Sequence, residues 1–317
     1  MTARYLITGG AGFIGSHIAQ TLLEQGQSVR VFDNLSSGRE GNLAAFGGRA
    51  EVIRADLRDL AAVRAAAAGV EVVFHEAALA SPPESIADPL RALEVNVTGT
   101  QHVLLAARDA GVRRVVFASS CALYGNEPTL PKEESMTPCP LSPYALHKLT
   151  GEHLCRLFTQ LYGLETVALR YFNVFGPGQN PNSEYAAVIP RFLTALLEGR
   201  RPVVFGDGEQ TRDFIYIENV VRANLLAAEA SRAVGQVINI GSGEQRSLNA
   251  LLGVAGDLLG ARVQAEYREA RVGDVRDSLA AIQRARSLLG YELIIGFQEG
   301  LERTLAALRQ EKREHQQ

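Results

Sequence analysis

Among 317 residues only three are lysine, Lys132, Lys148 and Lys312, and Lys148 follows Tyr144 by four positions in the stretch SPYALHK at 142–148. Four residues is about one helical turn, so the phenol and the ammonium share a face with their heads close together. A cation beside a phenol favours its ionised form, and a phenolate is a base. Free tyrosine titrates near 10, so work near neutrality asks for a shift of about 3 units, roughly 4 kcal/mol. Ser119 and Ser120 end the apolar run RRVVFASS, and a hydroxyl at the carboxyl edge of a strand can meet both a substrate and Tyr144. Alone, Y-x-x-x-K is a common accident on amphipathic helices. It gains weight from what precedes it.

TGGAGFIG at 8–15 sets Gly9, Gly12 and Gly15 between an apolar run and an amphipathic segment with Ile14, Ile18 and Leu22 on one face. Glycines there let the backbone turn and come close to a pyrophosphate at a helix N-terminus. Asp33 ends the next apolar run, where a carboxylate accepts hydrogen bonds from an adenosine ribose and repels a 2′-phosphate; NAD is therefore expected rather than NADP, with Arg39 the nearby cation that would suit a phosphate. The expected cofactor cleft takes Gly9, Gly12, Phe13 and Ile14 from the first turn and Asp33 and Asn34 from the second. It adds Asp56 and Leu57 from RADLRD, Ala77 and Ala78 from HEAALA, and Asn96. Small residues at 77 and 78 let a dinucleotide approach the backbone, while Asn96, polar on an apolar helix pattern, reads equally well as a local hydrogen-bonding group. With a nicotinamide in that cleft, Ser120, Tyr144 and Lys148 form a set that takes a hydroxyl proton as hydride leaves the same carbon. Tyr144 and Lys148 then also touch the cofactor, Lys148 at its ribose.

The elements that must carry these residues are short apolar runs alternating with helical stretches: RYLIT, SVRVFD, AEVIRAD, VEVVFHEA, RRVVFASS and ETVALRYF. This is the βα repeat of an α/β fold with a Rossmann-type, doubly wound parallel sheet. Past Asn173 the pattern turns irregular, so a dinucleotide domain over 1–172 and a smaller α/β substrate domain over 173–317 are expected, with a segment near 213–241 returning to the first. Hydrophobic residues are 46% and net charge is -3, which leaves a proper core and no basic excess for nucleic acid. No apolar run approaches the roughly 18 residues that span a bilayer, and the N-terminus enters a strand pattern at once, so no membrane association and a cytoplasmic protein are expected. Cys121, Cys139 and Cys155 include no C-x-x-C pair and suggest neither disulfides nor a metal site.

Together with FASSCALYG, LRYFNVFGPGQNP, GDGEQTRDFIYIENV and EARVGDVRDS, these motifs resemble, from end to end, the extended short-chain dehydrogenases/reductases, and within them the nucleotide-sugar 4-epimerases. The resemblance implies NAD that stays bound, Tyr144 as base with Ser120 and Lys148 as partners, and a UDP-sugar oxidised at C4 to a 4-keto form that turns over and is reduced on its other face. Related dehydratases carry an Asp-Glu pair where this chain has Cys121 and Ala122, which argues against dehydration. By resemblance Asn173, Arg212 and Arg271 reach the diphosphate, Asp274 the nucleoside ribose, and YAAVIPRF at 185–192 the base. Ser278 stands where the family limits the bulk on the sugar, and serine leaves room for a 2-acetamido group. UDP-N-acetylglucosamine is therefore the expected substrate, with UDP-glucose beside it. Ala80 departs from UDP-glucose epimerases that have a lysine there. UDP-glucuronate is the rival substrate, and an NAD-binding regulator without catalysis the rival of another class. The family's habit of pairing helices, here about 90–110 and 144–162, implies a homodimer.

Overall fold

The apolar runs form seven parallel strands of one sheet: β1 (Tyr5–Thr8), β2 (Val29–Asp33), β3 (Glu51–Arg54), β4 (Val72–His75), β5 (Arg114–Ser120), β6 (Glu165–Tyr171) and, from the second half of the chain, β11 (Gln236–Ile240). The structure is a computed structural model and describes residues 3–180, 188–270 and 275–314. Alternate side chains feed two cores, with Ile7, Val31, Phe74 and Val116 on one face and Leu6, Phe32, Val73 and Val115 on the other. Burial on both faces is why these strands read as continuous apolar runs. The order is β3-β2-β1-β4-β5-β6-β11, so successive connections leave in opposite directions from β1 and β4. Open parallel sheets hold ligands at the carboxyl ends of their strands beside such a reversal.

Three two-stranded pieces complete the second half: β7 (Asn173–Phe175) with β10 (Phe214–Tyr216), β8 (Val203–Phe205) with β13 (Glu266–Arg268), and β9 (Thr211–Arg212) with β12 (Arg246–Ser247). Among the described residues no helix is long and apolar enough to cross a membrane. The helical stretch expected at about 90–110 is broken into Pro89–Leu93, one π-helical turn at Glu94–Thr98, and Gly99–Asp109. Such turns gather at functional sites, and this one holds Asn96.

The helix Pro143–Tyr162 carries Tyr144 and Lys148. Ser142 starts it by accepting a hydrogen bond from the Ala145 amide at 3.2 Å, Pro143 occupies its first turn, and Gly163 ends it at φ 70°. Its buried face runs through Tyr144, Lys148, Gly151, Glu152 and Cys155. At Gly151 a β-carbon would lie 2.3 Å from the ring of Phe117 in β5, so the helix rests closer to the sheet than any side chain there would allow.

Glu152 then meets Arg170 of β6 in a buried pair with oxygens and nitrogens 2.8 Å apart. The Ser119 hydroxyl donates to Glu152 at 2.5 Å, and Arg170 donates to the Tyr124 hydroxyl at 2.8 Å. Ser119 was expected beside Ser120 at the reacting edge. Strand alternation instead turns it to the opposite face, where it ties the helix to β5. Replacing Glu152 with Ala strands a buried guanidinium and is expected to cost about 3–5 kcal/mol; urea unfolding with an unchanged midpoint would refute this account.

Candidate active site

The turn after β1 is held open for a ligand by glycine. Gly9 sits at φ +71°, and a β-carbon on it would lie 2.7 Å from the Ala77 amide; one on Gly15 would lie 2.3 Å from the Gly9 carbonyl oxygen. The helix Phe13–Glu24 begins at Gly12 with no side chain bonded to its first amides, which leaves them for an anion. Gly9, Gly12, Phe13, Ile14, Asp33 and Asn34 line a cleft of about 280 Å³ with Leu57, Glu76, Ala77, Ala78 and Ala80. Asp33 is buried at the end of β2 and accepts from the amides of Ala11 at 2.9 Å and Leu35 at 2.8 Å.

Two residues expected in this cleft act at one remove. Asp56 is gripped by the Arg58 guanidinium at 2.9 Å and by the Asn34 amide at 2.8 Å, and these donors hold its carboxyl far below the usual carboxylate range. Asn96 spends both ends of its amide on the backbone of Leu79, at 2.8 and 3.0 Å. It thereby ties the π-helical turn to the loop after β4. Beneath that loop the Ala77 amide donates to Thr8, Thr8 pairs with His75, and His75 pairs with Thr100, which donates to the Asn96 carbonyl. Because Thr100 gives its proton to Asn96, His75 must donate from Nε2. Burial pushes its pKa down to about 3, so the ring is neutral and Nδ1 accepts from Thr8.

Ser120, Tyr144 and Lys148 come together above the carboxyl end of β5. Lys148 Nζ donates to the Ala118 carbonyl at 2.6 Å and lies 5.1 Å from the centre of the Phe117 ring and 5.9 Å from that of Tyr144. Tyr144 is buried, its amide donating to the Ser85 hydroxyl at 3.1 Å. In the protein alone burial pushes Tyr144 up to about 12, and Ser120 is the neighbour that favours its phenolate; the expected downward shift calls on Lys148 and a nicotinamide ring together. Lys148 is itself pushed down by burial and drawn back up by the carboxylate of Glu76. Glu76 gave no signal in the sequence, since one acidic residue after a strand is ordinary.

A second cleft, about 350 Å³, is lined by Asn173, Arg212 and Gln210 with Phe192, Phe205 and Phe214. Asp213 organises its edge: the buried carboxylate accepts from the amides of Ser242 at 2.6 Å, Gly243 at 3.0 Å and Ala280 at 3.0 Å. That draws Arg212 and the segment bearing Ser278 together. Ser278 is buried with its hydroxyl on Cys121. Burial pushes the Cys121 thiol up to about 12, so it stays neutral and unsuited to proton exchange. Val188, Ile189, Arg191 and Phe192 of the expected base-covering stretch line this cleft; residues 185–187, Arg271 and Asp274 lie outside the described residues. Phe205 and Phe214 of the cleft were legible only as strand core.

A glycine cradle at the first turn, a ribose-side carboxylate and a Ser-Tyr-Lys set along one sheet edge coincide with a family model, "NAD dependent epimerase/dehydratase family", over residues 5–241. The chain belongs to that family. A UDP-glucose 4-epimerase of Mycolicibacterium smegmatis is 39% identical to this member over 96% of the chain and 98% of its own length. The solved UDP-N-acetylglucosamine 4-epimerase of Methanobrevibacter ruminantium M1, in complex with UDP-N-acetylmuramic acid, superposes at a TM-score of 0.93 with 40% identity, covering 98% of this chain and 100% of that one. The UDP-glucose 4-epimerase of Thermotoga maritima, solved with UDP-glucose, gives 0.92 with 36% identity over 97% and 99%. This member is an NAD-dependent isomerase of the UDP-sugar 4-epimerase type. The turn at Gly9, Gly12 and Gly15 fits the dinucleotide, because β-carbons at 9 and 15 would collide with the backbone that shapes it and that borders the cleft. Gly9→Ala carries about 1–2 kcal/mol of backbone strain and intrudes on Ala77; the purified variant is expected to lose its bound NAD, measured as dinucleotide released on denaturation.

Proposed function

We propose that this epimerase interconverts UDP-N-acetylglucosamine and UDP-N-acetylgalactosamine, and also accepts UDP-glucose. What supports the reading is the Ser120, Tyr144 and Lys148 set at the carboxyl end of β5, on a chain that also has a glycine-turned dinucleotide cleft and a second cleft lined by Asn173 and Arg212. In this reading residues 1–172, with the returning segment near 213–241, hold NAD, and the remainder holds the nucleotide sugar. Bound NAD would supply the hydride acceptor, and then the donor, for C4 of the sugar. Tyr144 takes the proton of the 4-hydroxyl and gives it back, with Ser120 holding the same oxygen and Lys148 placing its charge beneath. Arg212, with Arg271, grips the diphosphate, a task that suits a planar fork of donors, and Asp274 takes the nucleoside ribose. The preference for an acetylated sugar rests on Ser278, whose small side chain lies beside Cys121.

A panel of UDP-sugars, UDP-glucuronate included, with products assigned by NMR tests this directly. Tyr144→Phe is expected to slow turnover by about 10²–10⁴-fold and to abolish the transient absorbance near 340 nm. Ser278→Tyr is expected to lose the acetylated substrate and keep UDP-glucose; equal retention of both rejects the gate, and silence of the parent protein with every sugar favours a binding role. A homodimer belongs to the same proposal. Leu90, Leu93, Leu146, Leu157 and Leu161 are exposed on the helices named for the interface, and charge placed at Leu146 and Leu157 should convert a dimer to monomer by light scattering.

A further inference from the structure

Glu76 is the acidic group closest in register to the reacting set. His75 pairs with Phe117 across β4 and β5, so the next position of each brings Glu76 opposite Ala118, whose carbonyl holds Lys148 at 2.6 Å. On β6, Tyr171 pairs with Ser120 and its hydroxyl lies 2.9 Å from a Glu76 oxygen. That hydroxyl also accepts from the Asn224 amide nitrogen at 2.8 Å, and its proton has two acceptors, Glu76 and the Asn224 side-chain carbonyl oxygen at 3.0 Å. The Glu76 side chain is half-buried and opens on the dinucleotide cleft; a bound dinucleotide covers it. A carboxylate in that place adds to no established part of the base.

We propose that Glu76 is the counter-charge of the reacting centre, a positioning residue that keeps Lys148 in its ammonium form and sets the pH range in which Tyr144 works. The inference rests on the reading of Tyr144 as base. Lys148 lacks a carboxylate partner within salt-bridge distance among the described residues, yet burial opposes its charge, and Glu76 is the group that restores it. The same carboxylate makes the Tyr144 phenolate harder to form. The other titratable groups facing the pair are Cys155 on the helix of Lys148, His75 in β4, Cys121 after β5 and Tyr171 in β6. His75 stays neutral under its hydrogen bonds, and burial keeps both thiols and the Tyr171 phenol protonated. Burial pushes Glu76 itself up to about 7 against the pull of the Tyr171 hydrogen bond and of Lys148, so it is the group facing the pair that becomes an anion above that pH.

The sign follows from charge. Activity rises as Tyr144 becomes able to release its proton and falls as Lys148 loses its own on the alkaline side. Removing a neighbouring negative charge lowers both pKa values, so the whole pH profile moves toward acid. Glu76→Gln keeps an acceptor for Tyr171 and removes the charge; its kcat profile in the holoenzyme is expected to move down by about one pH unit on both limbs. Glu76→Asp keeps the charge and is expected to keep the profile in place. Tyr171→Phe makes Glu76 easier to protonate and should shift the acid limb in the same direction as Glu76→Gln, which keeps the test open if that variant folds poorly. A profile that changes height without moving in Glu76→Gln and Tyr171→Phe, or one that moves as far in Glu76→Asp, overturns the role of Glu76. Tyr144→Phe run alongside separates the two readings: its inactivity with an unmoved Glu76→Gln profile removes Glu76 alone, and its full activity removes the base and this inference with it.

Discussion

The closeness of one helix to one strand sets everything at the reacting edge. With Gly151 seated on the ring of Phe117, the helix Pro143–Tyr162 can bring Lys148 down to the Ala118 carbonyl and Tyr144 over Ser120. A methyl group at 151 would lift the helix and carry both heads away from the sheet. The Glu152–Arg170 pair and the Ser119 hydroxyl hold the same contact from the far side. Buried ion pairs contribute little net stability against apolar replacements, so their value here lies in fixing register: Glu152 is met by Arg170 and Ser119 together, and Arg170 by Glu152 and Tyr124.

That seating creates an electrostatic problem. Burial works against the charge on both a phenol and an ammonium pressed into the same corner, raising Tyr144 and lowering Lys148, and the protein's own field leaves Tyr144 protonated. On the proposed reading, a cationic ring in the dinucleotide cleft would supply the further positive charge that Tyr144 needs to act as a base.

The sheet was plain in the sequence because parallel strands buried on both faces must be apolar throughout, and VEVVF and RRVVF could hardly be anything else. The glycine turn and the helix of Tyr144 were legible for a different reason: Gly9 and Gly15 answer a steric need, and Ser142-Pro143 a capping need, that other residue types meet poorly. What escaped depends on contacts between distant segments. The orientation of Ser119 follows from which face of β5 meets Glu152, and the engagement of Asn96 with Leu79 follows from a π turn that no local periodicity marks. Glu76 and Gln210 belong to the same class, since a single polar residue at a strand end acquires meaning only when its neighbours across the sheet are known.

The scarcity of lysine has a practical side. Lys148 is buried and so is Lys132, whose ammonium is bound to backbone carbonyls. Among the described side chains Lys312 alone offers an amine to solvent, on the helix Phe297–Glu314 near the end of the chain. A mild acylating reagent would therefore find one side-chain handle, far in sequence from the reacting residues, by which the enzyme can be tethered or labelled in a uniform orientation.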